Sequence, residues 1–392
     1  SDGTITPGSH DGMAVIAEDE ETGIVTLCRN HEIRTLPDRR AFGPEEITYD
    51  ERAGGGCVQL RFDTRNGRWL DARSSLSGTC RNCAGGPTPW GSWLTCEETV
   101  SDSQWDSEAG RGEHRPYAKT HGWIFEVPAD RPAEAVPLKD MGRFIHEAVA
   151  VDPDTGSVYE TEDRTTAGFY RFLPNTPGKL SDGGRLQMLK VLGRDQVQTG
   201  LRAGETFDVE WVDIDDPERP HHDDRKHETL GVFMQGQAKG GATFARLEGC
   251  WYGNGVVYLV ATNGGDAGCG QIFSFHPKQQ QLRLVFESPN RETLNGPDNV
   301  AVSRRGGIVL CEDGDERVLR LHGLTRDGRL FTLAANNIDL TGRDKNGLPQ
   351  RDYRTRELAG ACFSPDGRWL FFNVQTPGVT FAVTGPWEDG AL

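Results

Sequence analysis

The chain has 392 residues and carries 59 acidic against 43 basic side chains, which gives a formal net charge of −16 at pH 7. Such an acidic chain is a poor partner for nucleic acids and anionic membrane surfaces, because like charges repel. Its apolar runs are short, so the sequence predicts no membrane insertion.

One pattern recurs six times in chain order: an acidic or polar residue, a short apolar run, a turn, a second run, and then an acidic or amide residue. The units begin at Asp11, Cys83, Glu147, Glu248, Asp298 and Gly360. Each has the turn chemistry of a β-hairpin. Together with the abundance of Gly (49) and Pro (21), six hairpins set radially predict an all-β fold, a β-propeller of about six blades.

The rest of the chain reads as insertions in this repeat. We expect a single domain over residues 1–392, with loop insertions near 101–120, 213–240 and 341–357, where charged and turn-forming residues dominate. The second insertion contains HHDD at 221–224, which could bind a metal ion or form a solvated loop.

Residues 80–98 (CRNCAGGPTPWGSWLTCEE) carry the densest chemistry in the chain. The run 85–89 (GGPTP) is expected to form a tight, stiff turn, since Gly permits positive φ and Pro fixes φ. Residues 93–96 then read as a short strand that places Glu97 and Glu98 at its end.

The CxxC spacing of Cys80 and Cys83 allows three interpretations. It could be half of a zinc site, although no second close pair is present. It could be a redox pair or a disulfide, although the βαβ context of such motifs is missing. Finally, Cys83 alone could be a thiolate ligand among carboxylates, a combination that suits iron better than calcium or magnesium.

The two ends of each hairpin should meet at one edge of the propeller, because the strands are antiparallel. Glu147 and Glu162 bound one hairpin, and Asp298 and Glu312 bound another. If the blades share an axis, these ends converge at one mouth of a central channel, where carboxylates stay charged only beside cations. The alternative is that acidic residues flank strands simply because loops are polar.

Arg246 and Glu248 alternate on one face of a strand. They could form a surface ion pair of little energetic value. At the mouth of an acidic metal site, Arg246 could instead bind an anionic substrate through two hydrogen bonds.

At these residues the chain resembles the PhoX-type alkaline phosphatases, a family of calcium- and iron-dependent β-propeller enzymes. The resemblance spans nearly the whole chain, and its longest motif is NCAGGPTPWGSWLTCEE at 82–98. The other similar stretches are 142–152, 161–172, 246–253, 297–314 and 358–386.

The resemblance implies a site with two ferric ions and several calcium ions joined by an oxo bridge. Carried over by motif, Cys83 would be the thiolate ligand on iron, and Arg246 would hold the phosphate as the catalytic residue. Glu147, Glu248, Asp298 and Glu312 would complete the metal cluster. The resemblance also suggests Glu98 and Glu162 as metal ligands and Asn30 as a further site residue, assigned here to substrate binding.

The function that the resemblance implies is hydrolysis of a small phosphorylated substrate, a phosphomonoester, to an alcohol and phosphate. We expect a monomer that acts in the periplasm or outside the cell, as exported members of the family do, although no export signal is visible in this sequence. Two alternatives stay open: a calcium-dependent phosphodiesterase or lactonase on a propeller, and a non-catalytic propeller that binds proteins or glycans.

Overall fold

The structure is a computed structural model of the chain, and it describes residues 7–34, 41–102, 117–220, 231–314, 318–343, 348–387, 390 and 392. The described residues form strands arranged as six blades, which confirms the predicted all-β propeller. The charged stretch at 103–116 and the HHDD stretch at 221–224 lie outside the described residues.

The first three blades follow one another along the chain, each with its first strand innermost. Blade 1 consists of β1 (His10–Asp19), β2 (Ile24–His31), β3 (Gly55–Asp63) and β4 (Arg68–Thr79). Blade 2 consists of β5 (Asn82–Pro87), β6 (Ser92–Glu97) and β7 (Ile124–Pro128). Blade 3 consists of β8 (His146–Val151), β9 (Val158–Glu162), β10 (Phe169–Pro174), β11 (Gly184–Val191) and β12 (Thr206–Asp213). A short helix, α1 (Val232–Ala238), separates blade 3 from blade 4.

The last three blades repeat the arrangement. Blade 4 consists of β13 (Leu247–Gly253), β14 (Val256–Ala261), β15 (Gln271–His276) and β16 (Gln281–Glu287). Blade 5 consists of β17 (Pro297–Val302), β18 (Ile308–Glu312), β19 (Arg320–Leu324) and β20 (Leu330–Ala335). Blade 6 consists of β21 (Leu358–Phe363), β22 (Trp369–Val374) and β23 (Val379–Thr384). The outer strands β12 and β16 also pair, so blades 3 and 4 share one nine-stranded sheet.

The innermost strands close into a ring around the channel. Strand β1 packs on β5, β5 on β8, β8 on β13, β13 on β17, β17 on β21, and β21 returns to β1. Each of the six predicted hairpins is therefore the inner pair of a blade. Because the inner strands are enclosed on both sides, they are almost entirely buried, as the sequences NCAGGP of β5 and HEAVAV of β8 show.

Trp251 on β13 lies at the turn end of this channel. Its side chain packs against three separate apolar clusters, which include Met13 of blade 1, Ala301 of blade 5 and Phe371 of blade 6. The indole therefore joins apolar residues of several blades at the turn end of the inner strands. The opposite end of the inner strands is the channel mouth.

Gly85, Gly86 and Pro87 belong to strand β5, so the prediction of a tight turn is wrong for these three residues. The turn begins at Thr88, whose N–H bonds to the carbonyl of Ser92. A Cβ on Gly85 would lie 2.0 Å from the Leu94 carbonyl oxygen, and one on Gly86 would lie 2.0 Å from the Val149 carbonyl oxygen. The two glycines are needed because neighbouring strands approach closely here.

The six inner hairpins share a β-bulge at equivalent points. In each, the pairing passes two residues of the first strand opposite one residue of the second. We call the first of the two residues the bulge position. The six bulge positions are Asp11, Cys83, Glu147, Glu248, Asp298 and Gly360.

None of the described helices is both long and apolar enough to cross a membrane.

We expect Gly86→Ala to lower the free energy of unfolding by about 1–3 kcal/mol, because the added methyl group must push β5 away from the backbone of β8. Urea unfolding monitored by tryptophan fluorescence measures this change. Gly8→Ala is the matched control, since nothing lies within 4 Å of the added Cβ. If the two variants are equally stable, the close approach of β5 and β8 is not as described.

Candidate metal centre at the channel mouth

Acidic side chains converge at the channel mouth, the end of the inner strands opposite their hairpin turns. A β-bulge re-aims the side chain at its first residue, and five of the six bulge positions carry an acid or a thiol. Further acids come from residues that directly follow the second strand of an inner hairpin: Glu32, Glu98, Asp163 and Asp313. Glu357, immediately before β21, adds another.

Seven of these residues form three overlapping groups, in each of which the ligand atoms all lie within 4.8 Å of one another. The groups are Cys83 with Glu98 and Glu147, then Glu147 with Glu248 and Asp298, then Asp298 with Asp313 and Glu357. We call these seven residues the mouth cluster. They form a continuous arc from blade 2 to blade 6, in which Glu147 and Asp298 each belong to two groups.

Glu147 is buried in this arc without a partner for its charge among the described residues. Its side chain is 0% exposed, and neither carboxylate oxygen has a hydrogen-bond partner among the described residues. Burial, and then the charges of Glu248 and Asp298, raise the pKa of Glu147 well above its ordinary value. A buried acceptor left without a donor costs about 1–3 kcal/mol, so a cation is the partner that this carboxylate fits.

Burial and like charges disfavour the ionised forms of the neighbouring groups as well. Burial, followed by the charge of Asp313, raises the pKa of Asp298 to about 7. Burial, and then Asp11 and Glu147, raise the pKa of the Cys83 thiol. Carboxylates and a thiol packed this closely can all ionise together only beside cations. The donor set therefore fits metal ions, with the thiol at one end and oxygen atoms alone at the other.

Arg246 is the cation that the chain itself supplies beside Glu248. Its Nε and Nη2 donate to Oδ1 and Oδ2 of Asp163 at 2.8 and 2.9 Å, and Nη2 also donates to Oε1 of Glu248 at 2.5 Å. Burial opposes its charge, but Glu248 and Asp163 outweigh that effect and raise the pKa of Arg246 above its ordinary value. About 40% of its side chain is exposed, so it is held in one orientation and still faces the mouth.

Five of the residues suggested from sequence as metal ligands come together in the mouth cluster: Cys83, Glu98, Glu147, Glu248 and Asp298. Two others, Glu162 and Glu312, lie outside the three groups. Oε2 of Glu162 accepts hydrogen bonds from the Gly168 N–H and the Tyr170 hydroxyl, at 2.9 and 2.8 Å. Glu312 is bound by Arg320 at 2.7 Å.

Asn30, suggested for substrate binding, is 0% exposed, and its side-chain amide forms hydrogen bonds within the protein. Its Nδ2 donates to the carbonyl oxygens of Cys83 and Ala84 at 3.2 and 2.7 Å. Its Oδ1 accepts from the Trp93 indole and the Thr95 hydroxyl, both at 2.9 Å. Asn30 thus fixes the backbone that carries Cys83.

The sequence did not predict Asp11, Asp163, Asp313 or Glu357 as site residues. Asp11 was available as the start of the first repeat unit, at the position that Cys83 and Glu147 occupy in theirs. Asp163 and Asp313 directly follow the selected Glu162 and Glu312. Glu357 gave no signal, since it precedes its strand and matches no part of the repeat.

Glu97 faces away from the mouth and anchors the strand that delivers Glu98. Its Oε1 accepts from His121 Nδ1 at 2.6 Å and from the Cys80 N–H at 2.8 Å. The far nitrogen of the imidazole, Nε2, lies 3.4 Å from Oδ2 of Asp50. Burial alone would lower the pKa of His121, but the charges of Glu97 and Asp50 raise it to about 9. Cys80 and Cys83 are both free thiols, and only Cys83 belongs to the mouth cluster.

This anchor predicts a specific pH dependence of stability. Because the pKa of His121 rises from 6.5 to about 9 on folding, its protonated form stabilises the fold below pH 6.5, and this contribution is lost as the pH rises through 9. The shift corresponds to a loss on the order of 3 kcal/mol. Urea unfolding at pH 6.5 and pH 10 should show this loss in the wild type and not in His121→Gln. His276→Gln is the control, and an unchanged pH dependence in His121→Gln would contradict the assignment.

Comparisons with known proteins show the family and the fold of the chain. The model of the family "Alkaline phosphatase PhoX" matches residues 71–378. Among solved structures, Pseudomonas fluorescens PhoX in complex with vanadate, a transition state analogue, is similar with a TM-score of 0.66 and 18% identity. That match covers 98% of this chain and 85% of the other. A comparison with curated proteins finds no match.

Two further solved structures show more distant likeness. The gluconolactonase XC5397 from Xanthomonas campestris has a TM-score of 0.38 at 12% identity and covers 97% of both chains. Hydrazine synthase from Kuenenia stuttgartiensis has a TM-score of 0.41 at 11% identity and covers 98% of both chains.

The family match extends over most of the described blades and includes the whole mouth cluster, so the chain belongs to the PhoX alkaline phosphatase family and is a hydrolase of phosphoric esters.

Proposed function

We propose that the chain hydrolyses phosphomonoesters at the channel mouth, with calcium and iron ions held by the mouth cluster. The observation that carries the proposal is the buried carboxylate of Glu147, whose two oxygen atoms lack partners among the described residues while four ligand-type side chains surround it. An ionised carboxylate that is buried without a partner destabilises the fold unless a cation pairs with it.

The donor atoms suggest which ion goes where. Cys83, Glu98 and Glu147 combine a thiol with two carboxylates, and a thiolate beside hard oxygen ligands suits iron. Asp298, Asp313 and Glu357 offer oxygen atoms only, which suits calcium. When bound, such ions neutralise phosphoryl charge and activate the attacking water.

Arg246 is the residue we assign to the phosphoryl group. Hydrogen bonds that a guanidinium donates to a phosphate strengthen as negative charge develops on the phosphoryl oxygens. Asp163 holds Nε and Nη2 from behind, which fixes the plane of the guanidinium before the substrate arrives. In the described part of the chain, no hydrogen bond occupies Nη1 of Arg246.

The same proposal includes two expectations that come from the resemblance alone. The substrate is a small phosphorylated molecule, and the enzyme acts as a monomer in the periplasm or outside the cell. Both stay predictions of the sequence.

The proposal predicts calcium-dependent release of phosphate from p-nitrophenyl phosphate. Purified protein is divided into calcium-loaded and chelator-treated samples, and only the loaded sample should turn over. Metal analysis accompanies the assay, and Cys83→Ala should lose iron because its thiolate is gone. If Cys83→Ala keeps its full metal content and activity, the assignment of the iron site is wrong. If protein that contains both metals does not turn over, phosphomonoesters are not its substrates, and diesters and lactones are tested next.

We expect Arg246→Met to lower kcat/KM for p-nitrophenyl phosphate by roughly 10²–10³-fold, the usual cost of one donor to the developing charge. Steady-state kinetics on the calcium-loaded protein measures the loss. Arg61→Met is the matched control, since it removes an ion pair with Asp71 whose two side chains are about half exposed on the outer strands of blade 1. A loss below about threefold in Arg246→Met would show that this guanidinium does not bind the reacting phosphoryl group.

A further inference from the structure

In each inner hairpin, one residue of the second strand lies opposite the two residues of the bulge. In blade 1 this residue is Asn30, and in blade 3 it is Thr161. Both side chains are 0% exposed. Asn30 Nδ2 donates to the carbonyl oxygen of Cys83 at 3.2 Å, and the Thr161 hydroxyl donates to that of Glu248 at 2.6 Å. At this position, a buried polar side chain of one blade therefore holds the bulge of the next blade.

The Thr161 hydroxyl also binds the bulge of its own blade. Its Oγ1 accepts from the N–H of Ala148, the residue that follows Glu147 in that bulge, at 3.0 Å. The Ala148 carbonyl oxygen lies 3.1 Å from Oγ1, farther than the Glu248 carbonyl oxygen, so the hydroxyl hydrogen points to Glu248. A hydroxyl can donate one hydrogen bond and accept others at the same time. This single group thus links the bulge that carries Glu147 to the bulge that carries Glu248.

The bulges of blades 4 and 5 are in direct backbone contact. Gly249 follows Glu248 in the bulge of blade 4, and a Cβ on it would lie 2.5 Å from the carbonyl oxygen of Asp298. The same Cβ would lie 2.8 Å from the backbone nitrogen of Val300. Glu147, Glu248 and Asp298 form the central group of the mouth cluster. Their three bulges are therefore joined in sequence, by the Thr161 hydroxyl and then by close packing.

The three carboxylates of the central group repel one another when they are ionised and no cation is bound. Their ligand atoms all lie within 4.8 Å of one another, in a buried place where water screens the charges little. This repulsion favours a shift of the Glu248 bulge away from Glu147. The Thr161 hydroxyl opposes such a shift, because the shift would break its hydrogen bond to the Glu248 carbonyl and leave buried polar groups without partners.

We propose that Thr161 is a positioning residue, which holds Glu147 and Glu248 at the separation that a hard cation such as calcium requires. This inference rests on the proposed function, in which the mouth cluster binds metal ions. The central group offers oxygen atoms only, which are the ligands of calcium in proteins. Thr161 acts through the backbones of two ligands, and the loss of a group that orients metal ligands lowers metal affinity by about 10–100-fold.

The test is isothermal titration of calcium into chelator-treated protein. Thr161→Val replaces the hydroxyl with a methyl group of similar size and should raise the Kd for calcium by about 10–100-fold. Thr161→Ser keeps the hydroxyl, and its Kd should stay within about threefold of the wild-type value. Thr64→Val is the matched control. Thr64 is also buried and donates to the Gly23 carbonyl at 2.7 Å, but it lies beside the β1–β2 turn, so this variant should lose stability without losing calcium affinity.

A Kd of Thr161→Val within about threefold of the wild-type value would overturn the inference, and so would an equal loss of affinity in Thr161→Ser or Thr64→Val. Urea unfolding of each variant accompanies the titrations. If Thr161→Val does not fold, Thr161→Ala replaces it with the same expected loss. Titration needs no turnover, so the two hypotheses fail separately. A wild type that binds calcium but hydrolyses no ester contradicts the proposed function. An active wild type whose calcium affinity survives in Thr161→Val contradicts the role of Thr161.

Discussion

Repulsion among buried acids is the constraint on which the mouth of this propeller depends. Six inner strands bring their first residues to one end of a narrow channel, and the bulges turn those residues toward one another. Glu147, with no exposed surface, cannot escape into water. Arginines at the rim pair with some of these acids, and cations would balance the deeper ones. The arrangement of the whole channel mouth therefore follows from how this negative charge is balanced.

Much of the fold could be predicted because the repeat is visible in single residues. An acid or thiol before an apolar run identified Cys83, Glu147, Glu248 and Asp298, and all four belong to the mouth cluster. The same pattern placed six hairpins where the structure has six inner strand pairs. Local chemistry was sufficient here, since turn residues and apolar runs specify a hairpin without information from distant strands.

The exceptions came from contacts between distant parts of the chain. Two neighbouring acids end each of two hairpins, and the sequence does not tell which of them faces the mouth, since a shift of one residue reverses the face of a side chain. The resemblance pointed to Glu162 and Glu312, whereas in the structure Asp163 binds Arg246 and Asp313 belongs to the mouth cluster. Gly85 and Gly86 suggested a turn, because the sequence does not reveal that another strand passes within contact distance of β5.

Trp251 packs at the turn end of the inner strands against apolar clusters that contain residues of blades 1, 4, 5 and 6. One side chain thus contributes to several contacts between blades at once. Because a ring of blades stays closed only if every interface holds, a smaller side chain here would leave a cavity that weakens the closure of the whole ring and not of one blade alone.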